Sequence, residues 1–146
     1  MSTPNPADVM FVQMQIPHHE DAVEMSRTLL QKQDVDERVR EFADQITAAQ
    51  SRQVEQLRSW LAEWGKQPVE SPPADSADMR ALHAAQGDQA AQVFLQQMTL
   101  HHKAAVLGAR TELANGADPR VLELAGKVLK SQEQEIASMT DLAGRL

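Results

Sequence analysis

This sequence predicts an all-α fold, a four-helix bundle made of two duplicated helical hairpins with a long crossover, and three observations carry that prediction. Leu, Ala, Gln and Glu are abundant, β-branched residues are sparse, and only five aromatics occur among 146 residues, a composition that favours helix over strand. Apolar residues recur at steps of three and four through four long stretches, the spacing of one helical face. The chain also repeats itself. Phe11, His18 and His19 return 83 positions later as Phe94, His101 and His102, and Phe42, Ala43, Ile46, Gln50, Val54 and Leu57 return 82 positions later as Leu124, Ala125, Val128, Gln132, Ile136 and Met139. One domain is expected, with a first hairpin over about 8–65, a crossover over about 66–87 and a second hairpin over about 88–146.

The first helix is expected to start at Asp8 as N-cap and to run to about Lys32, with Phe11, Met14 or Gln15, His18, Ala22, Met25 and Leu29 inward. Pro17 lies inside it; a mid-helix proline removes one hydrogen bond and crowds the preceding turn, so a kink or restart is expected just before the histidines. Asp34 or Asp36 starts the second helix, whose stripe runs from Val39 to Trp64, and Gly65 ends it. Residues 66–78, with Pro68, Pro72, Pro73, Ser71 and Ser76, read as the crossover, and a short helix around Met79, Leu82 and His83 follows, closing at Gly87. The third long helix spans about Asp88 to Ala114, with Phe94, Met98, His101 or His102, Ala105, Ala109 and Leu113 inward. Asn115-Gly116-Ala117 stops it, and Asp118 and Pro119 supply an N-cap and a first-turn proline for the last helix. Its stripe is Val121, Leu124, Ala125, Val128, Gln132, Ile136, Met139 and Leu142. The two His-His segments should then be related by a pseudo-two-fold axis.

Composition narrows the function. A net charge of −7 and an isoelectric point near 5.1 argue against a nucleic-acid partner. No apolar run approaches the ~20 residues of a membrane span, and Met1-Ser2-Thr3-Pro4-Asn5-Pro6 lacks the basic and apolar regions of a signal peptide, so the chain is either cytoplasmic or has lost a leader. With no cysteine, thiolate metal sites and thiol chemistry are excluded. Enzyme signatures are missing: no Glu stands three positions before any histidine, as a di-iron bundle needs. Val23 replaces the second histidine of a zincin-like string begun by His19-Glu20, and no Gly-x-Ser-x-Gly, P-loop or dinucleotide fingerprint appears.

The doubled histidines are what remains. Met14 and His18 are i, i+4; Met25 lies two turns beyond His18; Met98 precedes His101 and His102 by three and four residues. Imidazole and thioether together suit copper, above all Cu(I), while hard ions prefer oxygen. Glu20 and Asp21 can add oxygen ligands or orient the imidazoles. The bland reading is that core histidines pack and hydrogen-bond and that methionines fill gaps. On that reading Gln50 and Gln132 bond to polar groups within the bundle, Trp60 and Trp64 pack, and His83 is a surface residue.

These residues also resemble a known family. Phe94, Met98, His101, His102 and Ala105, followed by Gln132, Glu135, Ile136 and Met139, are similar to the motif of the bacterial domain-of-unknown-function 305 family. So are Asp8, Phe11, His18, His19, Ala22, Met25 and Ser26 with Gln50, Val54, Leu57, Trp60 and Leu61, and so is the link Met79, Leu82 and Gly87. The chain departs from the family pattern at Gln15 and Gly108, which take the places of methionines, at Ala91, which takes that of an aspartate, and at Pro17. The resemblance implies a ferritin-like four-helix fold, frequent export, and links to copper binding or metal tolerance, with no established enzymatic activity.

Two functional expectations follow. The first is a non-catalytic metal-binding bundle preferring a copper or silver ion, held by Met14, His18, His19 and Met25 from one half and Met98, His101 and His102 from the other, with Glu135 and Met139 approaching from the fourth helix. Its binding should weaken below about pH 6, because histidine must be neutral to ligate. The second is a structural or protein-interaction module, such as a homodimer, with no metal site.

Overall fold

The computed structural model describes residues 3–69 and 76–146. Among the described residues there are five helices and no strands: α1 (Pro6–Leu30), α2 (Glu37–Glu63), α3 (Ala77–Ala84), α4 (Gly87–Asn115) and α5 (Pro119–Arg145). The all-α class is as expected. Four helices are long, and α3 is the short helix of the crossover, so the count is five rather than four. Residues 70–75, which hold Ser71, Pro72 and Pro73 of the expected crossover, lie outside the described residues, as do Met1 and Ser2.

Local chemistry fixes the helix ends. α1 starts two residues earlier than Asp8. Asn5 is the N-cap, Pro6 occupies the first turn, and Asp8 is the third residue of a capping box: Asn5 Oδ1 accepts from the Asp8 N–H at 2.9 Å while Asp8 accepts from the Asn5 N–H at 2.8 Å, satisfying two N–H groups that have no intrahelical partner. Pro17 does not restart the helix, which runs unbroken from Pro6 to Leu30. The missing N–H costs one bond, to the carbonyl of Gln13, and burial of the flanking Ile16, Pro17 and His19 holds the helix together across it. Asp36 caps α2 and Asp118 caps α5, with Pro119 in the first turn. Gly65 and Gly87 adopt positive φ, +69° and +56°, which glycine reaches without a Cβ clash; Gly87 opens α4 rather than closing α3, which ends at Ala84.

α1 pairs with α2 and α4 with α5, and the two hairpins meet chiefly through α1 against α4, with α3 lying on both. The core divides into two apolar clusters. One gathers Ala22, Met25, Leu29, Val39, Ile46, Met79, Leu82, Phe94, Met98 and Met139; the other gathers Phe11, Ile16, Val54, Leu57, Leu61, Ala109, Val121 and Val128. Burying each large side chain of this kind contributes about 1.5–3 kcal/mol. Of the expected alternatives Met14 and Gln15, Gln15 is the buried one and Met14 is 56% exposed; Leu113, expected inward, is 41% exposed and its neighbour Glu112 is buried. No helix among the described residues is long and apolar enough to cross a membrane.

Candidate metal centre

Between the two apolar clusters lies a polar layer. Along α1, His18 and His19 fall between Ile16 of one cluster and Ala22 of the other, with the buried Gln15 just before Ile16; along α4, His101 and His102 fall between Met98 and Ala109. On α2 and α5, Gln50 and Gln132 fall between the same clusters. The helix period places these residues at one height, and antiparallel pairing of the hairpins brings all four histidines of the doubled motif together.

The contact is direct. The rings of His18 and His101 stack with centroids 3.6 Å apart and an interplanar angle of 23°, and His101 and His102 lie 6.4 Å apart. His19 and His102 are 1% and 0% exposed. Each has one polar partner from the second helix of its own hairpin: His19 Nε2 pairs with Gln53 Oε1, and His102 Nε2 donates to Glu135 Oε1 at 2.6 Å. Gln53 and Glu135 stand 82 positions apart, the offset that also relates Gln50 to Gln132, so equivalent positions supply both partners, once as an amide and once as a carboxylate. Because a carboxylate only accepts, the ring proton of this contact sits on His102 Nε2.

Many polar atoms of this layer have no hydrogen-bond partner in the protein. They include Nδ1 of His19 and His102, both ring nitrogens of His101, and the side-chain oxygens of Gln15, Gln50, Gln97 and Gln132. The expectation that Gln50 and Gln132 bond within the bundle therefore does not hold for their oxygens. An unpartnered buried polar atom costs about 1–3 kcal/mol, so a fold that concentrates them at one height gives up stability there. Burial, with neighbouring imidazoles adding to it, lowers His18 to about 4 and His101 to about 2, and burial likewise lowers His19. These rings are neutral at physiological pH and expose donor lone pairs.

A cleft of about 350 Å³ opens onto the stacked pair between α1, α3 and α4. His18 and His101 line it together with the sulfur-bearing Met25 and Met79, and Asp21 and Glu24 add carboxylates at its rim. Burial and the nearby Glu20 charge raise Asp21 above the usual carboxylate range. Gln97 ties α3 down beside it, its Nε2 donating to the Asp78 carbonyl at 2.8 Å. Two grooves of about 650 Å³ lie elsewhere and contain no histidine. Met98 and Met139 are fully buried in the apolar cluster that adjoins the layer, and the Met139 sulfur accepts from Thr99 Oγ1 at 3.8 Å. Met14 points to solvent one turn before His18. His83, as expected, is exposed on α3.

Among the described residues no three His, Asp or Glu side chains are gathered to hold a metal ion, and two rings stacked face to face do not present their nitrogens to one ion. The donors that do converge on the cleft are two neutral imidazoles and two thioethers, a set that fits a soft monovalent ion and suits a hard divalent one poorly. The sequence named Met79 only as part of the short crossover helix, and it passed over Gln53 and Gln97; Gln53 lies off the apolar stripe of its helix. The 82-residue offset that links Gln53 to Glu135 is the signal that could have found it.

Comparison with known proteins agrees with this architecture. No curated protein matches the sequence. Among solved structures, a DUF305 fragment from Deinococcus radiodurans is 29% identical, with 99% of this chain and 100% of that one aligned at a TM-score of 0.89. A DUF305 protein from Streptomyces coelicolor is 34% identical, with 93% and 89% aligned at 0.86. CopM in its Cu(I)-bound form is 31% identical, with 94% and 96% aligned at 0.82, and the same protein has been solved in Cu(II)-bound and silver-bound forms. Residues 8–143 match the family model described as "Domain of unknown function (DUF305)", and the chain belongs to that family.

Proposed function

We propose that this protein is a non-catalytic binder of soft metal ions, copper or silver, and that the ion is its cargo. The observation that carries the proposal is the convergence of both histidine pairs in one buried polar layer that opens onto a methionine-lined cleft. The four long helices form a ferritin-like bundle around that layer, the two hairpins contributing matched halves. His18, His101 and Met25 are the primary donors, and Met98 and Met139 supply further thioethers from the adjoining cluster. His19 and His102 complete the donor set, oriented by Gln53 and Glu135. Glu135 acts through His102, whose ring engages its Oε1. Met14, exposed one turn before His18, receives the ion from solvent. Binding requires the His18–His101 stack to part, so that a nitrogen of each ring can face the ion. The CopM structures holding Cu(I), Cu(II) and silver support the choice of metal.

The test is a Cu(I) titration of metal-stripped protein against a competing chelator, with a His18→Ala/His101→Ala variant beside it. The proposal expects tight binding at one or two ions per chain, and a loss on the order of 100-fold or more in the variant, at or above the cost of removing an outer partner of a ligand. Equal affinities in the two proteins would contradict it.

A second reading is a structural or interaction module. It draws on the exposure of Met10, Met14, Leu100 and Leu107 on α1 and α4, helices that pack together and could seat a second copy. That reading predicts no change in the copper titration on mutation and self-association at micromolar concentration.

A further inference from the structure

At the end of the molecule away from α3, two carboxyl groups are buried side by side. Asp8 on α1 is 0% exposed and Glu112 on α4 is 1% exposed. Asp8 is saturated with backbone donors: it accepts from the N–H groups of Asn5 at 2.8 Å, Ala117 at 3.1 Å and Asp118 at 3.0 Å. Those bonds tie the first turn of α1 to the turn between α4 and α5. Most of them fall on Oδ2, and Oδ1 is left beside the Glu112 carboxyl, the two groups flanking Gly116 so closely that a Cβ there would run into the Glu112 carboxyl and lie 2.7 Å from Asp8 Oδ1.

Glu112 has no N–H or O–H donor for either oxygen, and no cation reaches it among the described residues. The other charged groups at this end are Asp118 at the start of α5, 1% exposed, and Arg120, whose guanidinium is engaged by Asp118 at 3.4 Å and by Glu63 of α2 at 2.8 Å. An ionised Glu112 would therefore stand buried and unpaired against the carboxylate of Asp8 and near that of Asp118, which a low-dielectric site does not tolerate. One proton turns the same contact into a short, charge-assisted hydrogen bond.

We propose that Asp8 and Glu112 share a single proton, with the Glu112 O–H donating to Asp8, as a latch that fastens α1 to the α4–α5 turn and is released when that proton passes to solvent in mild alkali. The assignment of the proton follows from the donors: Asp8 has three N–H groups to stabilise its charge and Glu112 has none. Burial, the Asp8 hydrogen bond and the Asp8 and Asp118 charges push Glu112 up to about 8, while at Asp8 burial, which raises the group, is outweighed by the bonds from Glu112 and the three N–H groups, which hold it below its ordinary value. Since Glu112 binds its proton more tightly folded than unfolded, its contribution is complete below about pH 4.5 and is lost as pH rises through about 8. The latch is independent of the metal reading and uses none of its residues.

The experiment is urea unfolding of the wild-type protein and of Glu112→Gln between pH 6 and pH 9. Glutamine keeps an N–H to offer Asp8 and cannot ionise. The wild type should lose stability across this window with release of one proton, and the variant should be flat or markedly shallower. The same slope in both proteins would overturn the proposal. A ¹³C titration of the Glu112 carboxyl in the wild type gives a reading that needs no variant to fold: a midpoint near 8 supports the latch, and one near the ordinary glutamate value overturns it.

Discussion

Individual residues set two opposing pH trends. His18, His19 and His101 are held below the ordinary histidine value of 6.5 by burial. The unfolded chain therefore takes up protons that the folded protein refuses, and stability falls as pH drops from about 6.5 to about 4. Glu112 works the other way, since its raised value removes stability as pH climbs toward about 8. The melting temperature should therefore peak close to pH 6.5 and decline on both sides. A series of thermal melts from pH 4 to pH 9 checks this; a plateau extending through pH 9 would remove the Glu112 contribution from the account. Residue-scale burial was also where the sequence was least legible. The helical period admits either Met14 or Gln15 on the inner face, and packing chose Gln15, because α4 presents the small Gly108 opposite it: a Cβ there would lie 3.3 Å from the Gln15 amide. Glu112 was passed over in favour of Leu113 because a charged residue next to a leucine reads as the outer one, and only its partner Asp8, more than a hundred positions away, reverses that.

At the scale of elements, ends and turns decide the outcome. Asp118-Pro119 and Asp36 mark helix starts that local chemistry alone specifies. Asn5-Pro6 carries the same signal, but Asp8 obscured it, being itself a good capping residue and in fact the reciprocal partner three positions in. Pro17 predicted a break that tertiary packing prevents. The turn between α4 and α5 depends on Gly116 for space rather than for φ, which is −74°. Gly116→Ala should therefore destabilise the protein by about 1–3 kcal/mol, the usual cost of forcing a methyl group into a packed site, measurable as a lower urea midpoint. A neutral result would mean that the Glu112 carboxyl can swing aside, and would weaken the case for a fixed pair with Asp8.

Across the whole molecule, the recurring residues of the sequence organise the polar layer: offsets of 83 and 82 residues relate Phe, His, His, Gln and the apolar stripe of one hairpin to those of the other. What the repeat left open was whether the two copies face each other. The long α1–α4 contact settles that by stacking His18 on His101, and it also places one polar layer between two apolar clusters. The crossover was legible as a connection but not as a wall of the cleft, because Met79 reaches the site through α3's position on α1 and α4 rather than through any periodic pattern. The halves are not identical. Gln53 is neutral where Glu135 is charged, and the methionines missing at Gln15 and Gly108 leave Met25, Met79, Met98 and Met139 as the thioethers within or beside the layer.

If imidazoles from both hairpins and neighbouring thioethers bind one soft ion, X-ray absorption at the copper edge on protein loaded with one equivalent of Cu(I) will see both. A low-coordinate ion with both nitrogen and sulfur neighbours is expected, about 2.0 Å and 2.3 Å away, the usual lengths for imidazole nitrogen and for sulfur on a similar-sized ion. Loss of the sulfur shell, or a spectrum of oxygen neighbours alone, would contradict it and leave the doubled histidines as parts of the helical core.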